Sequence, residues 1–425
     1  MQFSQFAKVA WSEPGIFKLM EDLDSALSTS QKIYFLGGGN PAFVEPVNEY
    51  YRQQFLKIGT DTKRFSSVVG IYDGPSGNTS FREAVSYRLN QLYGWPITVE
   101  NVLLTQGSQN GFFLLLNLFS GKFENGQVKK ILFVQSPEYI GYEHASLNAD
   151  SMIAVPSIRE SLDGPFFRYT IDTKRIETEL KTGSIGAMCV SRPSNPTGGM
   201  LTDDEMKTLS KLAGKYQLPL IIDGAYGDPW PGVVYNNEST AFYDQNTILV
   251  LSLSKTGLPG IRTGIIIASN KVCRVLERIQ AIQHLAPGSM GPALTQEGIR
   301  DGSLIQLCKD DLPAFYLKRQ QAALKIICSE LQPKDEVLIH RPDGAFFLWA
   351  VFPKLKISAY QFYNKLKEAN VIVVPGNYYY PGLSDTDKNN IDYDGERALR
   401  ISYVQDEHSI EEGLRILCRI AKQNM

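Results

Sequence analysis

Between about Asn101 and Ala268, short apolar runs alternate with longer stretches of helical periodicity. The runs fall at 102–105, 130–134, 151–155, 186–190, 218–223, 247–251 and 264–268. Several are apolar at consecutive positions rather than at every second one, as strands covered on both faces require. Strands separated by helical patterns build a mostly parallel sheet with crossover helices. This stretch therefore predicts an α/β domain whose seven-stranded sheet is flanked by helices. Thr202 followed by Glu205 is a capping box opening a helix over 203–216.

After Ser269 the rhythm changes. Helical patterns over 271–283 and 313–331 lead to strands at 337–340 and 345–351, a helix at 359–369, strands at 371–374 and 398–404, and a closing helix at 409–422. This order predicts a smaller α+β domain completed by the N-terminal segment. The expected division is an arm and part of the small domain over 1–60, a large domain over 61–295 and the rest of the small domain over 296–425.

Composition removes several function classes. Charged residues make up 21%, the formal net charge is −2 and the 43 Lys+Arg are scattered, so neither a nucleic-acid nor a membrane-surface role rests on bulk charge. The apolar runs are too short to span a bilayer, and 1–11 has no secretory pattern. The five cysteines are dispersed without a C-x-x-C pair, and the four histidines show no ligand spacing. Free thiols in a reducing, cytoplasmic setting and no metal site are expected.

The polar exceptions gather where the strands end, and ligands of open α/β sheets bind outside those carboxyl ends. After the run 247–251 comes Ser252-Leu253-Ser254-Lys255, with Arg262 downstream. A lysine there, with two hydroxyls before it and an arginine after it, is poorly placed as a surface charge. It is well placed to form a Schiff base with an aldehyde cofactor that carries a phosphate. Gln106-Gly107-Ser108-Gln109 is a glycine turn into a helix, a phosphate site or simply a turn capped by Ser108. Tyr139 offers a ring to stack on a flat heterocycle, or packs in the core. Asn195 is held between Pro193 and Pro196. Asp223, directly after an apolar run, needs a partner or caps a helix; a protonated pyridine nitrogen suits it, with the Tyr226 hydroxyl nearby. Arg400 inside an apolar strand reads as a bidentate site for a substrate carboxylate, or as a structural ion pair.

In this order the Asn-Pro-Thr-Gly turn, the Asp-x-Ala-Tyr strand end, the Ser-x-Ser-Lys loop and the late strand arginine resemble the fold-type I pyridoxal-phosphate aminotransferases, essentially end to end. The resemblance implies pyridoxal 5'-phosphate as cofactor and these roles: Lys255 as Schiff-base lysine and proton shuttle, Asp223 on the pyridine nitrogen, Tyr226 and Asn195 on the ring oxygen, Tyr139 stacked on the ring. It implies that Ser108, Gln109, Ser252 and Arg262 hold the phosphate, and that Arg400, Gly39 and Asn195 hold the substrate carboxylate. Lys255, Asp223 and Tyr226 would be the catalytic set. Tyr72 would reach the phosphate of a partner subunit, in a homodimer with shared active sites. The interval from Lys255 to Arg262 is one residue shorter than the commoner family spacing.

Further stretches, among them 36–42, 72–75, 137–142, 285–288 and 380–383, resemble a branch of the family that exchanges amino groups between L-valine and pyruvate. That implies amino acids and 2-oxo acids as substrates, an apolar pocket wall without a second cation, and Ile16 and Phe17 as wall residues. Another substrate preference, or β-elimination on sulfur amino acids, is the alternative. A ligand-sensing regulator would need a basic helix-turn-helix segment, which is not seen.

Overall fold

All seven apolar runs between 102 and 268 enter one sheet in the computed structural model. It describes residues 32–148, 150–236, 239–389 and 393–425, with residues 2, 3, 7, 15, 17, 20 and 21 of the N-terminal segment. In chain order the strands are β1 Tyr34–Phe35, β2 Val102–Thr105, β3 Gly121–Lys122, β4 Val128–Phe133, β5 Met152–Ala154, β6 Ile158–Ser161, β7 Phe166–Thr170, β8 Ile185–Ser191, β9 Leu220–Asp223, β10 Thr247–Ser252, β11 Gly264–Ile267, β12 Leu338–His340, β13 Phe347–Val351, β14 Val371–Ile372, β15 Val374–Pro375 and β16 Ala398–Ser402.

The first sheet runs β2-β11-β10-β9-β8-β4-β3, with β5 also paired to β4. β10, β9, β8, β4 and β5 are successively parallel, while β11 runs antiparallel to both of its neighbours. The short β3 is an eighth strand beyond the expected seven. The strands β8, β9, β10 and β11 are buried almost throughout. Their side chains pack on helices on both faces, which is why they lack alternation. Register brings the strand ends together: Ser191 pairs with Asp223, and Asp223 with Val250, so these strands finish at one edge. Thr202 and Glu205 form the expected capping box.

The second sheet runs β15-β16-β13-β12-β7-β6. It takes β6 and β7 from the middle of the first sheet's sequence, a hairpin that the apolar pattern does not disclose. Its outer strand, Ile-Arg-Glu-Ser, is exposed at every position and so has no core-facing side to leave a signature. The run 371–374 is not one strand. It breaks at Val373, so β14 pairs with β1 while β15 joins β16.

The helix expected to begin at Pro313 begins ten residues earlier, as Ser303–Glu330. Proline favours a first turn, but here a buried stripe of Leu304, Cys308, Leu312, Tyr316, Gln320, Ala323 and Ile327 continues straight through it. Packing of that stripe outweighs one missing backbone hydrogen bond.

Among the described residues, no helix is long and apolar enough to cross a membrane and no group of side chains could hold a metal ion. The five cysteines are free.

Candidate active site

A cavity of about 820 Å³ opens at the shared edge of the first sheet. Its lining includes Gly39, Ser108, Gln109, Tyr139, Asn195, Asp223, Tyr226, Lys255, Arg262 and Arg400, drawn from segments up to 361 residues apart in sequence, as well as Met20, Phe35, Gly38, Ser191 and Ser254. Ten of the twelve residues that the resemblance assigns to cofactor or substrate carboxylate meet here. Ser252 and Tyr72 do not line the cavity.

One end is built for an anion. The helix Ser108–Phe119 starts after Gly107, at φ 81°, with no side chain capping it. Ser108 therefore does not cap, and the first N–H groups face the cavity with the positive end of the helix dipole. Arg262 lies against Gly107: a Cβ there would stand 2.2 Å from its Nη2, so only glycine admits the guanidinium. Despite the shorter interval from Lys255, this arginine reaches the cavity, from a left-handed backbone, φ 55°. Its Nη1 donates to Ser254 Oγ at 3.2 Å and to Pro259 O at 3.1 Å. Of the two serines before the lysine, Ser254 faces the cavity. Ser252 is fully buried, its Oγ accepting from Ser254 N at 3.1 Å. Gln109 donates its side-chain amide to Gly141 O at 2.8 Å and so holds the loop carrying Tyr139.

Opposite lies Asp223, closing β9. No helix follows it to be capped. Its Oδ2 accepts from Tyr142 Oη at 2.8 Å and its Oδ1 from Ala225 N at 3.0 Å. Burial pushes its carboxyl above the ordinary value, while the Tyr142 and Ala225 bonds and the Lys255 charge pull it down. Tyr142 was missed in the sequence, although it lies three residues beyond Tyr139.

Lys255 sits in the 3₁₀ turn Ser254–Thr256, its Nζ donating to Gly39 O at 2.7 Å and 5.4 Å from the Tyr226 ring centre. Burial and, next, the Arg400 charge lower its pKa to about 8, with Asp223 opposing them. Arg400 projects from β16. Its Nη1 donates to Asn195 Oδ1 at 2.9 Å, its Nη2 donates to Gly37 O at 2.5 Å, and its buried Nε has no partner. No carboxylate among the described residues pairs with it, so the structural ion-pair alternative is not what the fold contains.

The loop of Gly37 to Asn40 thus runs between the two cations. Phe35 covers Gly38, whose added Cβ would stand 2.6 Å from that ring. Phe17 is 52% exposed and not part of the lining, while Ile16 lies outside the described residues. Tyr72 is 81% exposed.

These groups fit pyridoxal 5'-phosphate. The uncapped helix start, Arg262 and Ser254 suit its phosphate, Asp223 its ring nitrogen, Tyr139 its face and Lys255 its aldehyde, while the orphaned Arg400 Nε awaits an acceptor from a further molecule.

Fold and site together define an aminotransferase. A sequence profile of the family described as "Aminotransferase class I and II" matches residues 47–417, and the chain belongs to that family. A valine–pyruvate aminotransferase from Escherichia coli (strain K12) is 39% identical over 417 residues, which span 98% of this chain and 97% of that protein. The crystal structure of a putative amino-acid aminotransferase from Psychrobacter arcticum 273-4 matches with a TM-score of 0.94 and 37% identity, covering 100% of this chain and 99% of its own. That of valine-pyruvate aminotransferase from Salmonella typhimurium LT2 matches with a TM-score of 0.85, also at 37% identity, covering 96% and 99%.

Proposed function

We propose that the chain is a pyridoxal 5'-phosphate-dependent transaminase exchanging the amino group of L-valine with pyruvate, to give 3-methyl-2-oxobutanoate and L-alanine, and that it works as a homodimer in the cytoplasm. The observation that carries the reading is its similarity along nearly its whole length to a valine–pyruvate aminotransferase, 39% identical. The cavity agrees. Its cations are Lys255, Arg262 and Arg400, and each already has a task, so none is left for a second substrate carboxylate among the described residues. Met20 and Phe35 offer apolar surface beside Gly38 to Asn40.

When bound, the cofactor supplies an aldehyde that condenses with amines and a protonated ring that draws electron density from the substrate α-carbon. Arg400 holds the α-carboxylate and so fixes which carbon faces Lys255. Lys255 would take the α-proton on Nζ and later return a proton. A pKa near 8 keeps part of that amine neutral and basic near neutral pH. Asp223 holds the proton on the ring nitrogen; Tyr142 and Ala225 keep its oxygens aimed. The Tyr226 hydroxyl and the Asn195 amide bond the ring oxygen in this reading. With the amino group held by the cofactor between the two substrates, ping-pong kinetics would be expected.

Purified protein given the cofactor, L-valine and pyruvate is expected to form L-alanine and 3-methyl-2-oxobutanoate in equal amounts. Pyruvate and ammonia from cystathionine, with no alanine from the valine mixture, would instead establish the β-elimination alternative.

The dimer rests on Tyr72, exposed and outside its own chain's cavity, in a stretch that also exposes Val69 and Ile71. Sedimentation is expected to show a dimer, and Tyr72→Phe to weaken cofactor retention about tenfold by deleting one hydrogen bond to a charged group. A monomer with full activity rules the assignment out.

A further inference from the structure

A second carboxylate is buried beside the site, and no transamination step uses it. Glu138 has no exposed surface. Its Oε1 accepts from Ser191 N at 2.9 Å and Gln135 Nε2 at 3.0 Å, and its Oε2 from Ser191 Oγ at 2.6 Å and Tyr139 N at 3.3 Å. Its own N–H donates to Tyr379 O at 2.8 Å. A carboxyl that meets four donors is used as an acceptor at every contact, the behaviour of the ionised form. Burial acts against this and pushes Glu138 up to about 7, with the Ser191 and Gln135 bonds holding it down.

The elements that carry those donors decide the role. Ser191 lines the cavity and stands in register with Asp223 on the next strand. Tyr139 lines the cavity too, and Tyr142, one short turn further, is the group whose hydroxyl reaches Asp223. The Tyr379 ring lies 5.3 Å from the Arg400 guanidinium carbon. The Glu138 side chain therefore ties the end of β8 to the 135–142 loop, and its backbone N–H ties that loop to the segment under Arg400.

We propose that Glu138 is a positioning residue of the transamination site, a clamp that fastens the Tyr139–Tyr142 loop to the end of β8 and thereby keeps the Tyr142 hydroxyl on Asp223. The inference rests on the transaminase reading. Glutamine at this position preserves size but turns an NH₂ toward N–H and O–H donors, so at least one buried donor loses its acceptor. The loop is then free to shift, and the bond from Tyr142 to Asp223 lengthens. Arg400 keeps its own partners.

The test is Glu138→Gln in the cofactor-loaded enzyme, beside Tyr142→Phe, Ser191→Ala and the Glu138→Gln/Tyr142→Phe double variant. Glu138→Gln is expected to lower kcat about 10- to 100-fold while KM for L-valine and for pyruvate stays within about twofold. The visible circular-dichroism band of the bound cofactor should shift, since that signal reports its surroundings independently of turnover. Ser191→Ala, which deletes one of the four donors, should act in the same direction but more weakly. In the double variant the losses should be far from additive, because both changes break one chain of contacts.

Wild-type kcat and an unchanged band in folded Glu138→Gln, or additive losses in the double variant, would overturn the clamp. A lowered Tm alone, with kcat retained, overturns it equally. If Glu138→Gln does not fold, Ser191→Ala with Tyr142→Phe decides by the same two readouts. Wild-type protein that binds the cofactor but transfers no amino group defeats the functional reading instead, and leaves the band shift to judge the clamp.

Discussion

Lys255→Ala is expected to abolish transamination, with a loss of roughly 10⁴- to 10⁶-fold, because one amine serves both as covalent anchor and as proton carrier. Its loss removes two functions that no neighbour replaces. Tyr226 and Asp223 line the same cavity, but the tyrosine is held protonated by burial, and the aspartate is committed to Tyr142 and Ala225. The fold should not suffer. A lysine in water titrates near 10.5, and in this cavity near 8, burial being the largest cause. A base whose pKa falls on folding destabilises the native state wherever it is charged. That penalty is complete below about pH 8 and fades as pH rises toward 10.5, and its ceiling is about 3 kcal/mol, reduced by the water that reaches this partly open site. Without cofactor, the alanine variant should therefore melt at or above the wild-type Tm at pH 7, and the difference should shrink by pH 10. Turnover within about a hundredfold of wild type would remove Lys255 from its place in the mechanism.

Much of this arrangement is legible in the sequence, for a definable reason. An apolar strand covered on both faces shows itself as an unbroken run, and a polar residue where it ends stands out. Asp223 and Lys255 at or just past strand ends, and Arg400 inside its strand, are such exceptions, and each turns up on the wall of one cavity. Sequence order cannot say which of two neighbouring hydroxyls faces inward: Ser254 lines the cavity where Ser252 was expected. Nor does it disclose residues whose meaning comes from partners far away. Glu138 looks like an ordinary polar turn residue until Ser191, 53 positions later, is seen to donate to it twice. Phe35 becomes part of a pocket wall only because β1 pairs with β14 and leads into Gly38. Strand β6 is silent because an all-exposed edge strand leaves no hydrophobic trace, while β7 buries only Phe167 and Tyr169, in alternation over five residues.

Arg400→Ala should have the next largest effect, a fall of about 10³-fold in kcat/KM for both L-valine and pyruvate, most of it in KM. The structure explains the size. The guanidinium is 2% exposed, lies 4.3 Å from the Phe347 ring centre and 5.3 Å from that of Tyr379, and meets only the neutral oxygens of Asn195 and Gly37. Its charge is thus uncompensated by any carboxylate among the described residues, and Nε is left without an acceptor. A bound α-carboxylate supplies both the opposite charge and the missing acceptor in one step. Removing one member of such a buried pair costs on the order of 3–5 kcal/mol, which is about 10²- to 10³-fold or somewhat more in binding. Arg400→Lys should recover part of the loss and no more, since an ammonium restores the charge without the planar fork that meets two oxygens at once. Steady-state kinetics varying each substrate decides the matter. An amino acid and an oxo acid both carry a carboxylate next to the reacting carbon, so KM must rise for the two together. A rise for only one would mean that Arg400 reads something other than the group the two substrates share.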